Sequence, residues 1–520
     1  GVYSLAEATI NNPVAFAFGN VHVGDAVSQA VSISNTALDG IFSEALNASF
    51  GASSDARITN DGGSIALLAA GDTDTTSMSV GVNTSVAGVV SGTQTINFES
   101  DGTGTSGLGI TALDSQDLSV TAVIEGGVYR LANPVINNSQ PVAFGNVRQG
   151  DVVAEQAVSI TNDVPDDGFS EALNAQAAGT TGGVLNNGGS FALLGPGATN
   201  DSAIAVSIDT STAGDKSGNA TIDFESDGTG SSDLGTTALP SQNVAVTGAV
   251  FRLAEAGAHT PEPVVLADSH VGDVAQQALS MTNTAAADGY SESLNASIGG
   301  DTGDVSSSGS FNLLAAQATD NSSLVVGIDT STAGAKSGTA IISSESDGTG
   351  TSGIVPNVAL ADQTVNVSGN VYRLAEASAH TPAPVVLGNV HVGDVAQQAL
   401  TIGNTAVADG FSEALNAVLG ATTGDATGSG SIVQLAAGGS DNSSLVVGIN
   451  TATAGAKSGT VALGLESDGD GINTLGQTAL AGQTVNVSGG VYSLAEATIN
   501  NPVAFAFGNV HVGDAVSQAV

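Results

Sequence analysis

The pentapeptide Val-aromatic-x-Leu-Ala begins at Val2, Val128, Val250, Val371 and Val491. Its aromatic residues, Tyr3, Tyr129, Phe251, Tyr372 and Tyr492, are spaced by 126, 122, 121 and 120 residues. A chain with this period builds the same unit each time, so the fold must be a tandem array rather than one large core. The units read as 1–126, 127–248, 249–369 and 370–489, with 490–520 opening a fifth. Residues 490–520 match 1–31 at 31 of 31 positions, whereas 253–283 and 374–404 match at 23 of 31. Four units therefore make one super-repeat. Gly1 is not preceded by a charged and then apolar leader, and a slice of a longer parent array is expected.

Within each unit, short apolar alternations are separated by Gly, Asn, Asp and Ser, and no 3.6-residue apolar period is sustained. In unit two, alternation puts Val158 and Ile160 on one face, Ala205 and Ile208 near another strand, then Ala220, Ile222 and Phe224, then Val244 and Val246. Leu324, Val326 and Ile328, with Val365 and Val367, repeat the pattern in unit three. About seven short strands per unit predict an all-β chain, a tandem array of Ig-like two-sheet β-sandwich domains with thin, aromatic-poor cores.

The net charge is −42, from 8 Lys plus Arg against 50 Asp plus Glu. Such a chain repels phosphate backbones and anionic headgroups, which excludes nucleic acid and a membrane surface as partners. No apolar run reaches the length of a membrane-spanning helix. The absence of Cys removes disulfides, thiol nucleophiles and zinc-thiolate sites, and suits an exported bacterial protein.

The run Phe18-Gly19-Asn20-Val21-His22-Val23-Gly24-Asp25, followed by Val31-Ser32-Ile33-Ser34-Asn35-Thr36, resembles the opening of Hydin-like (ASH) immunoglobulin-like modules, in bacteria the choice-of-anchor D type of large surface proteins. Leu68-Ala69-Ala70-Gly71, Val80-Gly81-Val82-Asn83 and Phe98-Glu99-Ser100 are similar to that family's middle and closing strands, and the likeness covers all four units. Unit three departs from it with Leu266-Ala267-Asp268 in place of Phe-Gly-Asn. The resemblance implies a wall-like or stalk-like extracellular array and carries over no catalytic residue.

Candidate chemistry is sparse. His22, His270, His391 and His511 stand in HVGD, but unit two has Arg148 there, so the position reads as a solvated strand end rather than an acid-base site. His259 and His380 read as surface residues beside turn prolines. No nucleophile elbow or Ser-His-Asp order recurs, and an enzyme is not expected. Lys216, Lys336 and Lys457 lie in AG-x-KSG loops, with Val90 in unit one, and read as loop cations rather than crosslinking lysines.

Two acidic motifs recur in every unit, and they read either as Asp-Gly turns with solvated glutamates or as a cation site. Asp-Gly-x-Ser-Glu supplies Asp167 and Glu171, Asp288 and Glu292, Asp409 and Glu413, and, with one inserted residue, Asp39 and Glu44. Glu-Ser-Asp-Gly supplies Glu99 and Asp101, Glu225 and Asp227, Glu345 and Asp347, and Glu466 and Asp468. An Ig topology puts the first motif in the BC loop and the second in the FG loop, at one end of the domain, where four carboxylates should converge. The opposite end carries the AB turn with Asp25, Asp151, Asp273 or Asp394, and in a head-to-tail array it meets the next acidic end. Crowded carboxylates need a neutraliser. Calcium at the junctions is one candidate, since it takes six to eight oxygens. The other is the set of linker residues Arg130, Arg252 and Arg373 with the three lysines, packed beside Tyr129, Phe251 and Tyr372; Ser4 and Ser493 leave that supply uneven.

The expected function is a non-catalytic structural repeat region of an extracellular or cell-surface bacterial fibre, surface array or biofilm matrix, partnered by copies of itself end to end and laterally. The alternative is the stalk of a giant adhesin whose ligand-binding tip lies in other domains. The alternating linker is expected to join a sheet rather than swing freely.

Overall fold

Period-2 alternation with Gly-rich turns leaves the chain one way to bury its apolar face, which is to close two sheets on each other. In the computed structural model, which describes residues 1–12, 15–121, 127–500 and 504–519, the described residues form strands and turns and no helix. The architecture is all-β, tandem Ig-like sandwiches, as the patterning requires. Contacts group the chain into two units. One comprises Gly1–Leu253 with Asp288–Glu292 and Gly348–Val355; the other comprises Ala254–Ala287, Ser293–Asp347 and Pro356–Val520.

The second repeat shows the plan. Its larger sheet runs Val142–Arg148, Thr236–Phe251, Gly218–Asp227, Ala172–Thr180, Ser190–Leu194, with the first pair parallel and the others antiparallel. The facing layer is built from Gln156–Ala157, Ala205–Ile208 and Val184–Asn186, continued by Pro134–Ile136, Ile160–Asn162 and Thr199–Asn200. Val158, Ile160, Ile208, Ala220, Ile222, Phe224, Val244 and Val246 are all buried between the layers. The fourth repeat has the same core with Leu465 where the second has Phe224, so its buried cluster contains no aromatic ring. Small apolar side chains keep these cores thin.

The last strand of a repeat does not stop at the repeat boundary. Thr236–Phe251, Gln363–Tyr372 and Gln483–Tyr492 run through the boundaries expected after 248, 369 and 489. The boundary expected after 126 adjoins residues 122–126, which lie outside the described residues. The linker end of each such strand pairs in parallel with the strand before the AB turn: Val128–Tyr129 with Val21–His22, Val250 and Phe251 with Val147 and Arg148, and Val371 and Tyr372 with Ser269 and His270. One residue on, Arg130, Arg252 and Arg373 bridge to Ser170, Ser291 and Ser412 of the following repeat. The linker is thus a strand shared by two repeats, as its alternation indicated.

Residues 490–520, expected to open a fifth unit, hold no strand after Tyr492 among the described residues, and 501–503 and 520 lie outside them.

Phe224 is the largest side chain fully enclosed in the second repeat. Phe224→Ala is expected to destabilise that repeat by about 3–5 kcal/mol, read as an early transition in urea unfolding of the full chain.

Candidate functional site

Along Gly218–Asp227 the inward positions are Ile222, Phe224 and then Ser226, which is fully buried. A buried hydroxyl requires a partner. Ser226 takes two: it accepts from the Ala132 backbone N–H at 2.8 Å and donates to Glu171 Oε2 at 2.6 Å. Glu171 is 0% exposed, and its other oxygen accepts from the Ser232 hydroxyl of the FG loop. Asn162, the last residue of strand Ile160–Asn162, donates to the Glu171 carbonyl at 3.0 Å and so holds the backbone of this buried carboxylate. Glu44, with Ser100 and Ser106, and Glu413, with Ser467 and Asn473, repeat the arrangement.

An ionised carboxylate with no access to water needs an opposite charge. It comes from the preceding repeat. His22 Nε2 lies 2.9 Å from Glu171 Oε1, Arg148 Nε is 3.0 Å from Glu292 Oε1, and His270 Nε2 is 2.8 Å from Glu413 Oε1. This corrects the reading of HVGD as a solvated strand end. The exchange of His for Arg in one unit preserves a nitrogen donor to the carboxylate, and it was the signal available in the sequence. Two positions earlier, Asn146 donates to the Ser352 carbonyl at 2.7 Å, while Asp268, where unit three departs from Phe-Gly-Asn, accepts from the Thr474 backbone at 3.1 Å. His391, which stands in the fourth HVGD, is half exposed and pairs with Asp394 of its own turn at 3.6 Å.

The expected convergence of four carboxylates does not occur: Glu225 and its equivalents point to the face opposite the inward serine, and the FG turn breaks the alternation before the aspartate is reached. Glu99, Glu225, Glu345 and Glu466 lie on the exposed face. Asp101, Asp227, Asp347 and Asp468 fold into the FG turn, held by Asn47, Asn174, Asn295 and Asn416. Asp25, Asp151, Asp273 and Asp394 accept from the backbone N–H three residues earlier and close the AB turns. Asp39 is exposed. Among the described residues, no three His, Asp or Glu side chains are grouped as metal ligands.

The linker arginines serve their own repeats. Arg130, Arg252 and Arg373 lie 2.7 Å from Asp167, Asp288 and Asp409. Tyr129, Phe251 and Tyr372 pack their rings at 5.6 Å on Phe169, Tyr290 and Phe411 of the same loops. The lysines are corrected from loop cations to buried groups. Lys216, Lys336 and Lys457 donate to Thr212, Thr332 and Thr453, and the last two also meet Asp304 and Asp425. His259 and His380 are buried too, against Gln363 and Gln483, rather than on the surface.

The order of groups at the junction is serine, carboxylate, imidazole. Nucleophilic catalysis of the triad kind needs the imidazole between serine and carboxylate, an order this cluster does not have.

No family model and no curated protein matches the chain. Solved structures with similar folds include protocadherin gamma B2 cadherin domains 3–6, at 10% identity over 81% of this chain and 88% of that one, TM-score 0.31. Drosophila N-cadherin EC1-4 matches at 9% identity over 87% and 93%, TM-score 0.23. Mouse protocadherin-24 EC1-3 matches at 10% over 69% and 100%, TM-score 0.29.

The Asp167 carboxyl is held below its usual range by hydrogen bonds from Arg130 and from the Phe169 backbone. A depressed carboxylate pKa gives stability that is full above the unfolded value and is lost as the pH falls through the folded one. The stability difference between the wild-type chain and Arg130→Gln is therefore expected to be present above about pH 4 and to vanish on further acidification, in urea titrations at stepped pH.

Proposed function

We propose that this chain is the non-catalytic structural repeat region of a long extracellular bacterial fibre, surface array or biofilm matrix, assembled with copies of itself. The observation that supports this reading is the junction: a shared linker strand and a buried carboxylate that takes a cation from the preceding repeat, built three times with different cations. A flexible string of independent domains has no use for such a contact. The identity of 490–520 with 1–31 extends the scheme. In a longer array His391 would face a socket of the Glu44 kind.

The chain has no cysteine, so spin labels can be placed at will. With labels on Ser119→Cys and Asp223→Cys, double electron–electron resonance should give one narrow distance between the first two repeats, broadened by His22→Ala or Tyr129→Ser. A broad distribution that neither substitution alters would overturn the stiff junction. Negative-stain microscopy separates the two uses of stiffness: ordered filaments of the isolated chain support the fibre, and dispersed single chains support the adhesin stalk.

Calcium is the competing neutraliser in this proposal. The unfolding midpoint is expected to be unchanged between EGTA and excess calcium, because His22, Arg148 and His270 already face the buried carboxylates. A raised midpoint with metal retained in native mass spectrometry would assign the acidic loops to calcium instead.

A further inference from the structure

The three junctions share one socket but not one cation, and the cations differ in the property that matters near neutral pH. Guanidinium stays charged throughout, whereas imidazole is the side chain that ordinarily gains or loses its charge between pH 5 and 8. We propose that the coupling between repeats one and two and between repeats three and four is proton-controlled, while that between repeats two and three is not. This inference rests on the junction geometry alone and holds for a fibre or a stalk.

The geometry is direct. His22 and His270 reach, through Nε2, a glutamate with no solvent exposure whose other contacts are hydroxyl or amide donors. With imidazolium in place the pair is a charge-assisted hydrogen bond away from water. When the imidazole is neutral, Nε2–H still donates, but the carboxylate has lost its countercharge in a poorly solvated site. The junction therefore weakens, rather than breaks, as pH rises.

The other ionisable groups around each histidine do not reproduce this switch. About His22 these include Asp25 on its own turn, Tyr129 and Arg130 on the paired linker, and Asp167, Asp227 and Asp233 on the loops of the next repeat. About His270 they include Asp268 and Asp273, the latter 3.8 Å from Nδ1, Tyr372 and Arg373 on the linker, Glu376, which lines the same cavity, and Asp409, Asp468 and Asp470 on the loops of the next repeat. Carboxylates of this kind ionise below the imidazole range, and phenols and guanidinium above it. Arg148, bonded to Glu292 and to the Ile354 carbonyl at 3.5 Å, supplies the internal reference.

Hydrogen–deuterium exchange of the full chain, corrected for intrinsic rates, reads the junctions separately. Protection of the FG loops at 228–235 and 469–476 should fall roughly tenfold between about pH 5.5 and 8.5, the imidazole range, while that of 348–353 stays level. His22→Arg and His270→Arg should flatten the response at their own junctions, and Arg148→His should install it at 348–353. Three junctions responding alike, no response at any, or a fall at 228–235 that survives His22→Arg would overturn the proposal. Because the His-to-Arg variants place in one socket the cation already used in another, they keep the test decisive if Arg148→His fails to fold.

Discussion

A carboxylate with no exposure to water is the constraint on which each junction depends. Burying it is unfavourable unless hydrogen bonds and a countercharge surround it, and every neighbouring feature serves that need. The inward serine of Glu-Ser-Asp-Gly, the FG-loop donor and the asparagine that grips its backbone come from the same repeat. The cation alone comes from the one before. Because the pairing is incomplete within a single repeat, the preceding one supplies what its neighbour lacks, which makes order along the array a matter of chemistry and not only of covalent connection.

The linker adds backbone pairing to this chemistry. It continues the last strand of one repeat, pairs with the strand that carries His22, Arg148 or His270, and then bridges to the loop that carries the next glutamate. The residues that carry cation and carboxylate are thus set by backbone pairing on both sides, so little backbone entropy remains to be lost when their side chains meet. The linker arginines and aromatic rings fix the Asp-Gly-x-Ser-Glu loop from the other flank.

Much of this was legible beforehand. Alternation gave the strands and the inward residues, from Val158 and Ile160 to Val365 and Val367, because a half-buried strand has a period of two. Topology then set both acidic motifs at one domain end. Their division of labour was not legible from the carboxylates, since Glu225 and Asp227 look equivalent in sequence and only the FG turn, which breaks the alternation, separates them. It was legible from Ser226, whose parity with Ile222 and Phe224 marks a buried hydroxyl. The histidine site was misread because substitution by arginine looked like tolerance, when both residues satisfy one requirement.

The same 31 residues occur twice, and they mark the boundary between the two kinds of information. In the first copy Ala8–Ile10, Phe16–Ala17, Val21–His22 and Val27–Ala30 are strands, Phe16 is buried and the His22 side chain is 19% exposed. In the second, the described residues after Tyr492 form no strand, Phe505 is 39% exposed and the His511 side chain is fully exposed. By itself the sequence determined the period, the alternation, the turn positions and the excess of negative charge, all of which are local or additive. Whether a given stretch becomes a strand, and whether its histidine meets a carboxylate, was decided only by tertiary structure, because strand hydrogen bonds and buried ion pairs are made with residues far along the chain.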